Sequence, residues 1–112
     1  MRKCVAIAVL ALVATGARAD WVPMSGTEIK TALSDAKLIY EDAWQVFRPS
    51  GFTLYNAGRD SRGSWRVEGD RYCSQWPPAD GWACYAMERE TGTGALRFIG
   101  ESGDITEGRI AE

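Results

Sequence analysis

The side chains able to do chemistry in this sequence are mainly carboxylates, tyrosines, lysines and arginines, because histidine is absent. Without an imidazole, the chain cannot build the nucleophile–histidine pairs or histidine-ligated zinc sites on which much catalysis near neutral pH depends. Two carboxylate pairs are candidates for acid–base work, Asp60 with Asp70 and Glu88 with Glu90. Charged residues at turns are mostly solvated, so we predict a non-enzymatic protein with no catalytic residues. The alternative is a periplasmic accessory enzyme that uses carboxylates.

Arginine and tryptophan supply the candidates for binding. Arg66 and Arg71 fall on one face of a predicted hairpin, where guanidinium groups could hold an anion or an acidic partner; the alternative is that they pair with Glu68 and neighbouring acids. Trp76 and Trp82 flank a Pro-Pro loop, where they could form an exposed aromatic tip or pack on the prolines. We predict these two tryptophans and two arginines as binding residues for an unknown small ligand or periplasmic protein.

No segment has the pattern of a metal or cofactor site. Glu101, Asp104 and Glu107 are close in sequence but lack the spacing of a calcium-binding EF-hand loop. The glycines in 91–94 do not belong to a phosphate-binding G-x-x-x-x-G-K motif. We therefore predict no metal and no cofactor.

The N-terminal residues have the pattern of a secretory signal peptide. Two basic residues at positions 2–3 precede the apolar run Cys4–Val13, and an A-x-A cleavage site follows at 17–19. The apolar run is too short to span a bilayer, although a retained N-terminal anchor is the alternative. We predict a signal peptide over 1–19 and a single β-rich domain over 20–112, located in the periplasm or secreted.

Removal of residues 1–19 makes the chain more acidic. Three of the 13 Lys and Arg residues leave with the signal, so 10 remain against 15 Asp and Glu residues, and the net charge becomes −5. Nucleic-acid binding needs a concentrated positive field, so we predict no nucleic-acid partner. There is no second hydrophobic span, so we predict no membrane association after cleavage, and we expect a monomer.

The same cleavage leaves two of the three cysteines, Cys73 and Cys84. In an oxidising compartment an even count in a small domain indicates a disulfide, and closing a loop of this size stabilises the fold by about 3 kcal/mol. A redox-active pair is the alternative, but its usual C-x-x-C spacing is missing. We predict a structural Cys73–Cys84 disulfide.

Hydrophobic periodicity places one short helix before a series of strands. Residues 25–28 match a capping box, followed by apolar residues at helical spacing, which predicts a helix at about 26–34. Alternating segments then predict strands, with 57–63 as a polar loop and 104–110 as an edge strand or a frayed end. These strands lie at 37–41, 44–48, 52–56, 64–68, 71–75, 83–89 and 95–99.

The central hairpins have a register that can be predicted residue by residue. Gly69-Asp70 fits a two-residue turn, which sets Glu68 opposite Arg71. Pairing Cys73 with Cys84 sets Tyr72 opposite Tyr85 on the inner face, away from the disulfide. The predicted fold is mainly β, an antiparallel up-and-down meander of six or seven strands that forms a small barrel or half-barrel after one short helix.

The segment from Gly63 to Tyr85 also carries a resemblance. Its G-x-W-x-V-x-G-D-x-x-C hairpin, followed by a second Cys before Tyr, resembles small uncharacterised exported proteins of proteobacteria. The resemblance covers about half of the chain after the signal peptide. It implies a periplasmic, lipocalin-like β-fold, and it implies no particular activity or site.

Overall fold

The computed structural model describes residues 20–112, so the predicted signal peptide over 1–19 lies outside the described residues. About half of the described residues belong to strands. The helix α1 spans Gly26–Leu33. The strands are β1 (Trp21–Pro23), β2 (Lys37–Ile39), β3 (Trp44–Phe47), β4 (Phe52–Asn56), β5 (Asp60–Glu68), β6 (Arg71–Gln75), β7 (Ala83–Glu90), β8 (Leu96–Ile99) and β9 (Ile105–Ile110).

Strands β2 to β9 form a closed antiparallel barrel. Each pairs with the next strand in sequence, and β9 returns to pair with β2. β1 is not one of the eight barrel strands. It pairs with residues 88–90 of β7, whereas β6 pairs with residues 83–86 of the same strand. The prediction of an up-and-down meander that forms a small barrel after one helix is confirmed. Closure of the ring removes the exposed sheet edges that a half-barrel would leave.

The predicted register of the central hairpins is confirmed. Glu68 lies opposite Arg71 across the Gly69-Asp70 turn, and Tyr72 lies opposite Tyr85. Cys73 and Cys84 are direct cross-strand partners and form a disulfide with a Cα–Cα distance of 4.0 Å. The bridge therefore fastens β6 to β7 from the outer face of the barrel.

The helix α1 closes one end of the barrel. Its capping box is formed: Glu28 N–H donates to Ser25 Oγ, and Ser25 N–H donates to Glu28 Oε1. Gly26 N–H donates to Asp70 Oδ1 over 2.8 Å, and a Cβ on Gly26 would overlap the Gly69 carbonyl oxygen. The helix can therefore lie directly on the β5–β6 turn only because this residue is glycine.

The apolar core lies under this helix. Ile29 and Leu33 have no exposed surface, and both belong to one cluster with the inward side chains of the barrel. Trp65 donates its indole N–H to the carbonyl of Arg48 in the connection that joins β3 to β4. The fully buried barrel residues of this core are Leu38, Phe47, Met87 and Leu96, each 1% exposed or less.

Three strands differ from their predicted extents, and all three have weak hydrophobic patterns. β1 lies in a segment treated as a lead, β5 begins at Asp60 inside the predicted polar loop, and β9 is a full barrel strand. In the first part of β5 and in most of β9 the side chains of both faces are exposed. The exposed inner-face side chains of these parts of β5 and β9 do not pack on the apolar core, so their sequences lack apolar alternation and resemble loops. β1 is only three residues long, which is too short to show an alternation.

Candidate ligand-binding cavity

The barrel is open at the end opposite α1. Four connections meet at this open end, namely 40–43, 57–59, 76–82 and 100–104, because alternate connections of an up-and-down barrel share one end. Residues from each of them or from the adjoining strand ends line a solvent-accessible depression of about 1470 Å³, which continues beyond the barrel interior to outward-facing residues of β2 and β9 and to the connection after β7. The open end is therefore a cup, with the apolar core beneath it.

All four tyrosines of the chain line this cavity. They lie on inward positions of β4, β6 and β7 and at the residue that follows β2. Their rings form a continuous set with Trp76 and Phe98, in which neighbouring centroids are 5.1 to 6.3 Å apart and the planes are tilted or edge-on. The tyrosines are Tyr40, Tyr55, Tyr72 and Tyr85.

A buried amide organises the floor of the cup. Gln45 is 5% exposed, and its Oε1 accepts a hydrogen bond of 2.7 Å from the Tyr40 hydroxyl. Its Nε2 donates to Thr53 Oγ1 at 2.9 Å and to the Tyr72 hydroxyl at 3.2 Å. Since each partner comes from a different strand or connection, the network fixes the Tyr40 and Tyr72 rings relative to each other.

Burial keeps these two phenols neutral. Desolvation, with smaller contributions from Tyr72 and Tyr55, raises the pKa of Tyr40 well above its usual range. Desolvation also raises the pKa of Tyr72 to about 12, although hydrogen bonds with Ser74 and Gln45 lower it in part. The floor of the cup is therefore uncharged at physiological pH and offers hydroxyl and amide groups rather than ions.

Two other hydroxyls face the cavity. Among residues 20–112, Tyr55 and Tyr85 make no side-chain hydrogen bond through their hydroxyl groups, and both side chains are only partly buried. Their oxygens are therefore accessible from the cavity and can donate to, or accept from, a bound molecule.

Trp76 points into the cup and not away from the protein. Its indole N–H donates to Ser74 Oγ over 3.0 Å, and its ring lies edge-on to Tyr55. The ring packs so closely against Gly63 that a Cβ there would lie 2.7 Å from it. The absence of a side chain at Gly63 therefore makes room for the indole, which the sequence alone did not reveal.

The other three predicted binding residues lie on the outer surface, away from this cavity. The Arg66 guanidinium stacks on Trp82, with 3.9 Å between Cζ and the ring centroid, and it also pairs with Glu68. The Arg71 Nη1 atom lies 3.8 Å from the Glu101 Oε2 atom. Both arginines thus have acidic neighbours, which is the alternative considered for them in the sequence, and the four predicted residues do not form one site.

The two candidate carboxylate pairs have different placements. Asp60 begins β5 at the open end, whereas Asp70 caps α1 at the closed end, so about 25 Å of strand lies between them. Glu88 accepts a hydrogen bond of 2.8 Å from Arg97, and Glu90 accepts one from Thr93. Asp60 and Asp70 therefore do not meet at one site, and Glu88 and Glu90 each accept a hydrogen bond from another side chain.

One group of potential metal ligands is present among the described residues. Glu68, Cys73 and Cys84 bring their donor atoms within 4.8 Å of one another. The two sulfurs are bonded in the disulfide, and a disulfide does not supply the thiolates that bind metals. This group is therefore part of the outer wall and not a metal centre.

The border of the cup is acidic. Eight residues with charged side chains contribute to the cavity wall. Glu41, Asp42, Asp60 and Asp104 lie at the open end, together with Arg62. Glu90 ends β7 at the end that α1 covers, and Glu107 and Arg109 occupy outward-facing register positions. No charged side chain is buried in the part of the chain that the structure describes. The cavity therefore combines a neutral aromatic interior with a negative border.

Comparisons of this chain with models of protein families, with curated proteins and with solved structures found no match. In the described part of the chain, no helix is long and apolar enough to cross a membrane.

Proposed function

We propose that this chain is an exported, non-enzymatic binding protein that holds a small ligand in the cup at the open end of its barrel. The observation that carries the proposal is the convergence of every tyrosine of the chain, with Trp76 and Phe98, on one cavity. Ligand sites are typically concave and aromatic, with a few fixed polar groups. The cup has this composition.

The difference in packing between the two ends of the barrel also favours a ligand in the cup. Small eight-stranded barrels can fill their interior with side chains or hold one small ligand. Here the apolar core occupies the end beneath α1, while the opposite end keeps its aromatic rings partly exposed. Large aromatic surfaces in contact with water are a cost to the free protein, and that cost is relieved when a ligand covers them.

Export to the periplasm or the medium is the second part of the proposal. Its support is the disulfide between Cys73 and Cys84, since such bonds persist mainly in oxidising compartments, together with the signal-peptide pattern of residues 1–19. The kinship with exported proteobacterial proteins that the hairpin motif suggests belongs to the same proposal.

Native mass spectrometry on the protein purified without denaturation tests the binding function. We expect a small molecule to co-purify with the protein and to add its mass to that of the folded protein. This added mass should disappear when the protein is unfolded. Ser61 lies opposite Tyr55 and lines the cavity, so Ser61→Phe should fill the mouth and abolish this adduct. Ser64→Phe, on the outer face of the same strand, is the matched control and should retain it. An adduct that survives Ser61→Phe unchanged would contradict a ligand in the cup.

A further inference from the structure

We infer that the ligand of the cup is a small organic cation, with an alkylated ammonium group held among the tyrosine rings. This inference rests on the proposed function and deepens it, because it names the chemical class of the ligand. It is drawn from four features: the aromatic interior, the outward placement of the neighbouring arginines, the sign of the border charges and the kind of polar group that the interior provides.

The first observation is the density of aromatic rings. Tyr40, Tyr55, Trp76 and Tyr85 line the cavity and are only partly buried, and the Tyr55 ring centroid lies 6.1 Å from those of Tyr40 and Trp76. Tyr72 and Phe98 are only 4% and 5% exposed, and their ring centroids lie 6.1 and 6.3 Å from that of Tyr85. Cations are attracted to ring faces within about 6 Å of the centroid, and groups of aromatic rings bind quaternary ammonium ligands in this way. A cation in the cup would contact several rings at once.

The second observation is that positive groups do not compete for these rings. Arg62 and Arg109 line the cavity wall but occupy outward-facing register positions. The Arg62 guanidinium lies over Phe52 on the outer surface, 5.6 Å from the ring centroid. Among residues 20–112, therefore, no cationic side chain lies over the tyrosine rings of the interior.

The third observation is the charge of the mouth. Glu41, Asp42, Asp60 and Asp104 line the cavity from three sides of the opening and are exposed. The same end also carries Arg59 and Arg62, so the mouth is predominantly negative and not of a single sign. A predominantly negative mouth raises the local concentration of cationic ligands and speeds their association. An anionic ligand would meet both this repulsion and the negative faces of the rings.

The interior further selects among cations. No carboxylate is buried among the described residues, so a compact, strongly hydrated cation would lose water without gaining a charged partner. An alkylated ammonium group presents methyl groups to the rings and has much less hydration to lose. The accessible Tyr55 and Tyr85 hydroxyls could bind a polar substituent on the same molecule.

A set of three isosteric probes tests this inference by NMR titration of the purified, oxidised protein. The probes are choline, the neutral dimethylbutanol in which carbon replaces the ammonium nitrogen, and the anionic dimethylbutanoate. We expect choline to bind at least about tenfold more tightly than dimethylbutanol, with dimethylbutanoate the weakest. Equal or tighter binding of dimethylbutanol would overturn the cation inference and leave the proposed binding function standing, as would a co-purifying ligand that is neutral or anionic.

Variants of Tyr55 test whether the ring supplies the preference. Tyr55→Leu keeps an apolar side chain but removes the ring, and it should weaken choline binding about threefold to tenfold while dimethylbutanol changes by less than about twofold. Tyr55→Phe keeps the ring, is the conservative control, and should retain choline binding. Equal losses for choline and dimethylbutanol in Tyr55→Leu would contradict a cation–ring contact.

The double variant Glu41→Gln/Asp42→Asn tests the mouth. It keeps the shape of the connection and removes two charges, so it should weaken choline binding by a few fold at low salt and leave dimethylbutanol unchanged. An unchanged salt dependence of choline binding in this variant would show that the border charges play no part.

Discussion

The two ends of the barrel use the same strands for different purposes. At the closed end, α1 covers inward side chains that are almost wholly apolar, and Ile29 and Leu33 have no exposed surface. At the open end, inward positions carry tyrosine, serine and threonine, and a cavity replaces the packed core. Between them lies the Gln45 network, which turns the floor of the cavity into a fixed polar layer.

The closed end therefore mainly stabilises the fold, whereas the open end is available to bind a ligand. Burial of apolar side chains at the closed end supplies most of the free energy of folding, because burying such a side chain contributes roughly 1.5 to 3 kcal/mol. Partly exposed rings at the open end contribute less to folding and retain surface for a ligand. Substitutions at the two ends should therefore have opposite signatures in measurements of unfolding and of binding.

The largest expected effect is at the closed end. Ile29→Ala removes a fully buried side chain from the helix–barrel interface and should lower the free energy of unfolding by about 3 to 4 kcal/mol, from lost burial and the cavity left behind. Ile105 at the open end is 53% exposed. Ile105→Ala is therefore the matched control and should change the free energy of unfolding by less than about 0.5 kcal/mol. Urea denaturation measures both, and comparable losses would refute the division between the two ends.

Removal of the disulfide should have an effect of similar size. The double variant Cys73→Ala/Cys84→Ala opens a short loop whose closure is worth about 3 kcal/mol in the chain-entropy model. The strand pairing beneath it should persist, so ligand binding should be retained while the protein is folded. Urea denaturation and mass measurement of the unreduced protein check this, and two free thiols in the parent protein would rule the disulfide out.

Alkaline pH should lower the free energy of unfolding, because it ionises the buried tyrosines of the Gln45 network that lies between the two ends. Burial raises the pKa of Tyr72 from its ordinary value of 10.0 to about 12, so the folded protein holds this proton more tightly than the unfolded chain does. The resulting stability is complete below pH 10 and is lost as the pH rises to 12, by roughly 3 kcal/mol for Tyr72. The raised pKa of Tyr40 acts with the same sign.

Tyr72→Phe isolates the share of this one phenol in the alkaline response. Denaturation curves at pH 9 and at higher pH, recorded with tyrosinate absorbance, should show a smaller loss of stability in the variant than in the parent. An identical pH dependence in the two proteins would contradict a buried, neutral Tyr72.

The smallest expected effect is on the outer wall. Arg66 covers Trp82 and pairs with Glu68, but the side chains of both charged residues are about half exposed. Arg66→Ala should therefore cost only about 0.5 to 1 kcal/mol, and it should leave ligand binding unchanged because the pair lies outside the cup. A loss of binding in this variant would move the site from the cavity to the outer face.

The sequence predicts the central hairpins well because several local signals agree there. The Gly69-Asp70 turn, the Cys73–Cys84 pairing and the alternation around Tyr72 all require one register, and the structure has that register. Agreement among such independent signals is what makes a local prediction dependable. The helix was predictable for the same reason, because its capping box is contiguous in sequence.

The cavity was not predictable because its parts meet only when the barrel closes. The sequence places Tyr40 and Tyr55 on strands, but the contact of Tyr40 with Phe98 depends on the long-range pairing between β2 and β9. The predicted register places Tyr72 and Tyr85 on the inner face, where they do lie, yet they also line an open space. Inward alternation alone does not distinguish a packed core from a cavity wall.

The five tryptophans lie at different places in the structure, so their signals can show directly whether the ligand enters the cup. Trp76 lies in the cavity wall, Trp65 in the core with its N–H bonded to Arg48, and Trp82 on the outer wall beneath Arg66. The remaining two lie under cations, Trp21 under Arg97 and Trp44 under Lys37.

The measurement is a two-dimensional NMR spectrum of the indole N–H groups during separate titrations with choline and dimethylbutanol. For every probe that binds, we expect a saturable shift of the Trp76 signal, while the Trp65 and Trp82 signals stay in place. A shift confined to Trp82, or an unmoved Trp76 signal with both probes at concentrations that saturate binding, would show that the ligand does not enter the cup.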